Sequence, residues 1–324
     1  MGQQLGRWLA RRLAFALVLV LVLASSSMLL TRLAPGDATS ELIGRGLSEA
    51  TLEAERARLG LDQPLLVHYG QWLKAFLRLD LGTSFRFGRP VGELVWERAF
   101  NTALLAVSAL VIATLVGIPL GVLSGSRRGS RTAAWIGHAS TVGLSMPPLL
   151  LSLLLAFLAA RTGWFPVGGM GGADVAGPWV VVADAAWHLT LPALALACPL
   201  AATLERLQSQ ALAEVLDQPY MQCARGRGLP TSRLVWRHGV RVALGPVLSV
   251  YGAMVGGLLS GSFAVEVVMS WPGLGRLTYD ALVARDVHLV AGCAVAGGFV
   301  LAGAIIVSDL LSWFADPRLR ELEA

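Results

Sequence analysis

Six long windows without any charged residue divide the chain, and polar segments separate them. A transmembrane helix needs roughly 20 predominantly apolar residues, and a charge at its centre costs about 2.5–3.5 kcal/mol of insertion free energy. The windows cover residues 13–31, 102–123, 132–160, 185–204, 242–265 and 287–308. This pattern predicts an all-α integral membrane protein with about six transmembrane helices.

Two of the windows need separate interpretation. The first follows an arm with three arginines, as a signal peptide would, but its apolar run continues through Met28 and reaches spanning length. We therefore interpret it as a retained helix. The third window exceeds what a bilayer requires and contains Pro147 and Pro148. We expect this helix to be kinked, tilted or broken.

Arginines are concentrated in the N-terminal arm, in the loop after the second window and in the segment 205–241. The positive-inside rule then places both termini and that segment in the cytoplasm, and the segment after the first helix outside. In that outer segment we expect a helix from Ser48 to Gly60 and turns at 35–37 and 81–84. The predicted regions are an arm with helix 1 (1–33), an extracytoplasmic segment (34–98), a five-helix core (99–315) with a cytoplasmic loop at 211–241, and a tail (316–324).

The overall composition agrees with the apolar windows. The chain has 324 residues, of which 55% are hydrophobic and 15% charged, whereas soluble domains have about 25% charged residues. These values exclude a disordered polymer, a disulfide scaffold, a nucleic-acid-binding domain and an ordinary cytosolic enzyme. The net charge of +5 comes with a single lysine, and we attribute the basic excess to topology-setting loops. The three cysteines lack the spacing of a disulfide or metal site.

Glycines recur at helical spacing inside the windows. Gly117 and Gly121 lie four residues apart in the second window, Gly125 continues this spacing just past its end, and Gly257 and Gly261 lie four residues apart in the fifth. Such stripes let neighbouring helices approach closely. They predict either tight packing within one bundle or faces that line a translocation path, and the two interpretations are compatible.

Catalytic chemistry has little support in the sequence. The five histidines are isolated from one another, and we interpret those in or beside the windows as structural. A nucleotide-binding P-loop needs Gly-Lys-Ser/Thr, but the only lysine, Lys74, follows Leu73. A membrane enzyme is therefore disfavoured. A secondary transporter would need buried carboxylates near the midplane, and the windows contain none.

A short helix between the fourth and fifth windows is the most informative segment. Pro219 suits the first helical position, Gly228 the position just after the end, and Pro230 stops continuation. These signals predict a helix of about nine residues, with Thr231 or Ser232 capping the next one. A helix this short is only marginally stable alone and needs contacts with another element. We therefore interpret it as a helix that docks on a partner. A loop that only sets topology is the alternative.

Several motifs occur in a characteristic order along nearly the whole chain. They are Pro35-Gly-Asp37, Leu59-Gly-Leu-Asp-Gln-Pro64, Asp80-Leu-Gly-Thr-Ser84, Gly88-Arg-Pro-Val91, Gly117-Ile-Pro-Leu-Gly121, residues 214–229 (EVLDQPYMQCARGRGL) with His238-Gly-Val-Arg241, Trp271-Pro-Gly-Leu-Gly-Arg276, Arg285-Asp286 and Asp316-Pro-Arg-Leu-Arg320. This series resembles the permease subunits of ATP-binding-cassette importers, specifically the dipeptide/oligopeptide/nickel branch. Two positions depart from the general motif: Gln222 occupies its usual Glu position, and Arg227 replaces a Lys.

The resemblance implies site residues. It implies a helix that couples the permease to an ATPase, with contacts at Tyr220, Gln222, Ala224, Arg225, Arg227 and Gly228. It also implies an extracytoplasmic gate and docking turn, formed with the 34–98 segment, at Trp271, Pro272, Gly273, Leu274 and Gly275. A tryptophan anchored at the lipid interface is the alternative for Trp271.

The resemblance also implies partners and a location. It implies a second homologous permease, two ATPase subunits that bind ATP and Mg²⁺, and an extracytoplasmic substrate-binding protein, all at a bacterial or archaeal inner membrane. The chain itself would bind no cofactor, no metal and no nucleic acid, and would have no catalytic residue. The expected cargo is a di- or oligopeptide moved by alternating access, with nickel or a metal chelate as the alternative.

Overall fold

The computed structural model describes residues 2–33, 64–78, 80–171 and 177–315, which form helices and one isolated antiparallel bridge between Thr83 and Pro90. The predicted helix at 48–60, the turn at 35–37 and the tail 316–324 lie outside these residues. The helices are α1 (Gly2–Leu33), α2 (Leu65–Phe76), α3 (Val91–Ser126), α4 (Arg131–Ser145), α5 (Pro148–Thr162), α6 (Pro178–Leu216), α7 (Pro219–Gly226), α8 (Thr231–Arg233), α9 (Val240–Val268), α10 (Leu274–Val283) and α11 (Val287–Ala315), with a π-helical turn (Leu234–Gly239) between α8 and α9.

The described residues contain five helical segments that are long and apolar enough to cross a bilayer. They are Ala10–Leu30, Val91–Ser126, Trp179–Leu216, Thr231–Val268 and Val287–Ile306. The pair α4 and α5 brings the number to six if its members form one span. The predicted all-α membrane fold is confirmed.

The third apolar window is broken into two helices. α4 and α5 meet at a bend of 98°. A residue before proline is driven out of the helical region; Met146 is extended (φ −91°, ψ 108°) before Pro147, and Pro147 is extended (φ −61°, ψ 140°) before Pro148. Pro148 then occupies the first position of α5. Of the three predicted outcomes for this window, a break is the one that occurs.

Several helices run well past the windows that predicted them. α6 has 39 residues, which at 1.5 Å per residue gives a length of about 58 Å, against roughly 30 Å of hydrocarbon. The window ended at Leu204 because Glu205 follows, but the helix continues. Glu205 and Glu266 are both buried within long helices. The windows contain no acidic residue, as expected. The helices that extend beyond them do contain buried acids, so a prediction of acid-free helices would be wrong.

The described residues divide into two compact units. The first comes from the described parts of Met1–Thr102 and Pro272–Ala302, and the second from those of Ala103–Trp271 and Gly303–Ala324. In the first unit, α1 packs through Val20, Ala24 and Met28 against Trp72 of α2 and against α11. In the second, the principal core is formed by α3, α5, α6 and α9.

A short hairpin precedes α3 in the first unit, and Asp286 holds it. One carboxylate oxygen of Asp286 accepts hydrogen bonds from the Ser84 hydroxyl (2.7 Å) and the Arg86 amide (3.1 Å). The other oxygen accepts from the Leu289 amide (3.1 Å) in the first turn of α11. This single buried carboxylate therefore fixes both the hairpin and a helix start.

Candidate functional site

The short helix α7 begins and ends at the predicted signals. Gln218 precedes it in extended conformation, and Pro219 takes the first position, which needs no amide hydrogen. At the other end Gly228 is left-handed, with φ +82°. The Gly228 amide donates to Arg225 O (3.0 Å) and the Leu229 amide to Ala224 O (3.4 Å), which satisfies carbonyls that the helix end leaves open. The predicted bounds differ by one residue from Pro219–Gly226.

One face of α7 packs inward and the rest is exposed. Met221 is its only buried residue. Of the six coupling residues predicted from the sequence, Ala224 is half-buried and the other five are exposed. The five are Tyr220, Gln222, Arg225, Arg227 and Gly228. The Gln222 amide nitrogen donates back to Asp217 O (3.2 Å). The helix thus presents an aromatic ring and two guanidinium groups that no described element of the chain covers.

A dense apolar contact lies behind α7. The helix packs on α6 and on the π-helical turn, and these are joined by a cluster that includes Leu212, Val235 and Ala243. A methyl group added at Gly239 would lie 2.8 Å from Leu212 Cδ1, so the two elements touch at van der Waals limits. The start of the next helix is not capped as predicted, because Thr231 is already helical and Pro230 occupies the cap position.

The glycine stripe of α3 lies directly against α6. Added Cβ atoms would lie 2.5 Å from Ala201 O at Gly117, 2.7 Å from Gln208 Cβ at Gly121 and 2.6 Å from Ser209 O at Gly125. The stripe of α9 is different. A Cβ at Gly261 would lie at an ordinary 3.4 Å from Leu196 Cδ2, and one at Gly257 would meet no described atom within 4 Å.

The Trp271–Gly275 turn is held by burial and by hydrogen bonds to other parts of the chain. The Trp271 side chain is fully buried in the core of the second unit, which leaves no indole surface for lipid or a partner. In the first unit, the Asn101 amide donates to Pro272 O (2.7 Å), and the Leu274 amide donates to the Thr102 hydroxyl (2.7 Å). These hydrogen bonds hold Gly273 as the residue before α10. The role of the turn as gate or docking surface stays a prediction.

Buried polar side chains between α3 and α6 were missed by the sequence reasoning. The Ser124 hydroxyl donates to the Glu205 carboxylate (2.5 Å), and both side chains are buried. One turn further on, Gln208 is fully buried, and neither atom of its amide has a hydrogen-bond partner among the described residues. The repeat of apolar residues at 204, 207, 211, 212 and 215 could have shown that the helix continues past Glu205.

The histidine of α6 has local partners. His188 Nδ1 lies 2.9 Å from Asp184 O and 3.4 Å from Asp184 Oδ1, one turn earlier. Within the part of the chain that the structure describes, no group of three or more His, Cys, Asp or Glu side chains could hold a metal ion.

Comparison with known protein families identifies the family to which the chain belongs. The family model described as "Binding-protein-dependent transport system inner membrane component" matches residues 117–321, which include α7 and the helices on either side of it. The chain belongs to this permease family. A companion model for the N-terminal part of such membrane components matches residues 5–106. The permease is therefore a multi-pass inner-membrane component of a binding-protein-dependent transport system, as the motif series predicted.

Relatives resemble the permease over almost its whole length. The oligopeptide transport system permease protein AppB of Bacillus subtilis (strain 168) is 33% identical over 314 residues, which cover 96% of this chain and 98% of the relative. A putative peptide transport system permease protein of Brucella abortus (strain 2308) is 36% identical over 315 residues, covering 96% and 98%. A probable peptide ABC transporter permease protein of Sinorhizobium fredii is 31% identical over 320 residues, covering 98% and 100%.

Proposed function

We propose that this permease moves di- or oligopeptides across the inner membrane as one subunit of an ATP-driven importer. The names of all three relatives above refer to peptides and none refers to nickel, which supports peptide as the cargo class. A separate extracytoplasmic binding protein delivers the peptide. A second, homologous permease completes the membrane path, which opens alternately to the two sides.

The observation that carries the coupling proposal is α7. It is a two-turn helix between two long membrane helices, with Met221 inward and its other residues exposed or half-buried. A helix this short needs outside contacts to be stable, and a short exposed helix suits a groove on a partner. We propose that one of two ATPase subunits receives it, and that those subunits, rather than this chain, bind ATP and Mg²⁺.

The packing behind α7 supports transmission of movement. Because Leu212 on α6 and Val235 on the π-helical turn share one apolar cluster, a displacement of α7 by the ATPase would move α6 and α9 together. Close-packed interiors transmit strain in this way. The Trp271–Gly275 turn at the other end of α9 is proposed as part of the extracytoplasmic gate.

The test is transport by the full complex in proteoliposomes, with the binding protein and a radiolabelled mixture of di- to hexapeptides outside. We expect uptake that requires ATP. Gly228→Pro removes the amide hydrogen bonded to Arg225 O and forbids φ +82°, so this variant should assemble but lose uptake by at least tenfold. Gly226→Ala, whose added methyl group would meet no described atom within 4 Å, is the matched control.

Two results would count against the proposal. Normal ATP-dependent uptake by Gly228→Pro at normal abundance would remove α7 as the coupling element. Uptake that needs an ion gradient and no ATP would instead indicate a secondary transporter.

A further inference from the structure

An apolar groove of about 620 Å³ lies between α3, α4 and α6. Its walls include Leu120, Ile136, Leu194 and Ala197, and the Trp135 indole stands exposed at its edge. The groove exists because α4 buries only Ser140 and Gly143. The rest of this helix leaves space beside α6 that no described side chain fills.

A second, polar cavity of about 410 Å³ meets the groove at Glu205, which lines both. Arg128, Ser130 and Arg206 line the polar cavity. The Arg128 guanidinium donates to Asp217 Oδ2 (3.2 Å), and that of Arg206 donates to the Thr141 hydroxyl (3.1 Å). A guanidinium group has five N–H donors, so each retains donors that a further acceptor could use.

The pair of cavities is a poor site for the proposed peptide cargo. Each peptide unit carries a donor and an acceptor that need partners when buried, and the groove wall is almost entirely hydrocarbon. A ligand that fits must be apolar over most of its length and anionic at one end. The groove lies along membrane-spanning helices, and molecules of this kind make up the bilayer that surrounds such helices.

We propose that one phospholipid of the bilayer occupies this pair of cavities, with an acyl chain in the groove and its phosphate at Arg128 and Arg206. Arginine pairs with phosphate through parallel N–H donors, and basic pockets between transmembrane helices bind lipid headgroups. The carboxylate of Glu205 is bonded to Ser124 and is thereby held towards α3. The lipid fills the space that α4 leaves beside α6.

Native mass spectrometry of the full complex, released from nanodiscs of phosphatidylethanolamine and phosphatidylglycerol, tests this inference. At activation energies that strip the surrounding lipid, the wild type should retain one phospholipid per copy of this chain. Ala139→Phe fills the groove from an exposed position of α4 and should lower retention at least fivefold. Ala160→Phe, exposed on α5 and lining neither cavity, should retain the lipid.

A second pair of variants tests the headgroup contact without altering the groove. Arg206→Gln should lower retention at least threefold, and Arg127→Gln, an exposed arginine outside both cavities, should not. Equal retention by Ala139→Phe and Ala160→Phe, or by Arg206→Gln and Arg127→Gln, would overturn the proposal. A disulfide or short cross-link from Ala139→Cys to the second permease would overturn it too, because a partner helix would then fill the groove.

Discussion

The Ser124 hydroxyl donates a hydrogen bond to the Glu205 carboxylate at 2.5 Å, across 81 residues of sequence, with both side chains buried. A buried carboxylate that loses its donor carries the full cost of desolvation. The contact joins α3 to α6 in the half of these helices that continues towards α7. The two helices are thus connected by a polar contact as well as by apolar packing.

Ser124→Ala should therefore destabilise the permease by about 1–3 kcal/mol, because it leaves a buried acceptor without its partner. The measurement is thermal or denaturant unfolding of the purified complex. Ser126→Ala is the matched control, since the hydroxyl of this half-buried serine donates within its own helix, to Leu123 O (3.3 Å). Equal stability of the two variants would mean that Glu205 finds another donor.

Gly121→Ala should separate α3 from α6. Its new methyl carbon would lie 2.7 Å from both Gln208 Cβ and Glu205 O, and overpacking of this kind costs about 1–3 kcal/mol. Gly92→Ala in the same helix meets none of the described atoms within 4 Å and should stay within about 1 kcal/mol of the wild type. Unfolding of both variants in one detergent makes the comparison. A Gly121→Ala protein as stable as Gly92→Ala would contradict this close packing.

Gln208 permits a prediction of the opposite sign. Its amide is buried without a partner among the described residues, and replacing an unsatisfied polar group by an apolar one of similar length should stabilise the protein by about 1–3 kcal/mol. We expect this of Gln208→Met, and no change above about 0.5 kcal/mol for Gln210→Met, which is exposed. Unfolding experiments give both values.

Transport by the same variants tests whether the buried Gln208 amide has a role in the transport cycle. If the amide meets a partner only during the transport cycle, Gln208→Met will be more stable and slower in peptide uptake. A Gln208→Met protein that is less stable than the wild type would contradict the unsatisfied amide.

Local signals in the sequence were sufficient to predict the membrane-spanning helices and α7, but not α2 or α10. The six windows correspond to helices because a charge inside the bilayer is costly, and α7 was located to within one residue because proline and glycine act on their own backbone. The contact between Ser124 and Glu205 could not be predicted in this way. It depends on which faces of α3 and α6 meet, and nothing in either segment alone determines that.

Burial of Trp271 shows the same limit. The sequence indicated a turn at 271–275, and a turn is present. Whether the indole points outward or into a core depends on α3, α5, α6 and α9, which are distant along the chain. The edges of the windows were also misjudged, since Glu205 looked like a boundary and lies inside a helix. Polar residues on a helix become permissible once a neighbouring helix supplies partners, and this information is not local.

Asp286→Ala should release the hairpin that precedes α3. Its carboxylate is buried and accepts hydrogen bonds from Ser84, Arg86 and Leu289. Loss of a helix cap costs about 0.5–2 kcal/mol, and each further hydrogen bond about 1 kcal/mol. We expect amide hydrogen exchange at residues 82–91 to accelerate at least tenfold.

The exposed pair of Arg89 and Glu93, 3.4 Å apart, supplies the matched control for that experiment. Surface ion pairs are worth about 0–1 kcal/mol, so Glu93→Gln should leave exchange in the same hairpin nearly unchanged. Equal acceleration in both variants would show that the hairpin is held by something other than Asp286.

Cys223 offers a direct test of what covers α7. It is exposed on this helix, whereas Cys293 is buried and Cys198 lies in a membrane-spanning segment. A benzophenone maleimide attached to Cys223 in membrane vesicles that expose the ATPase should, on illumination, join this chain to the ATPase subunit and produce a product of their summed mass.

Cys223→Ser should abolish that product and Cys198→Ser should leave it, because only the former removes the thiol on α7. ATP trapping should change the yield at least twofold if α7 moves during the cycle. A product that persists in Cys223→Ser, or one that joins Cys223 to the extracytoplasmic binding protein, would contradict docking of the ATPase on this helix.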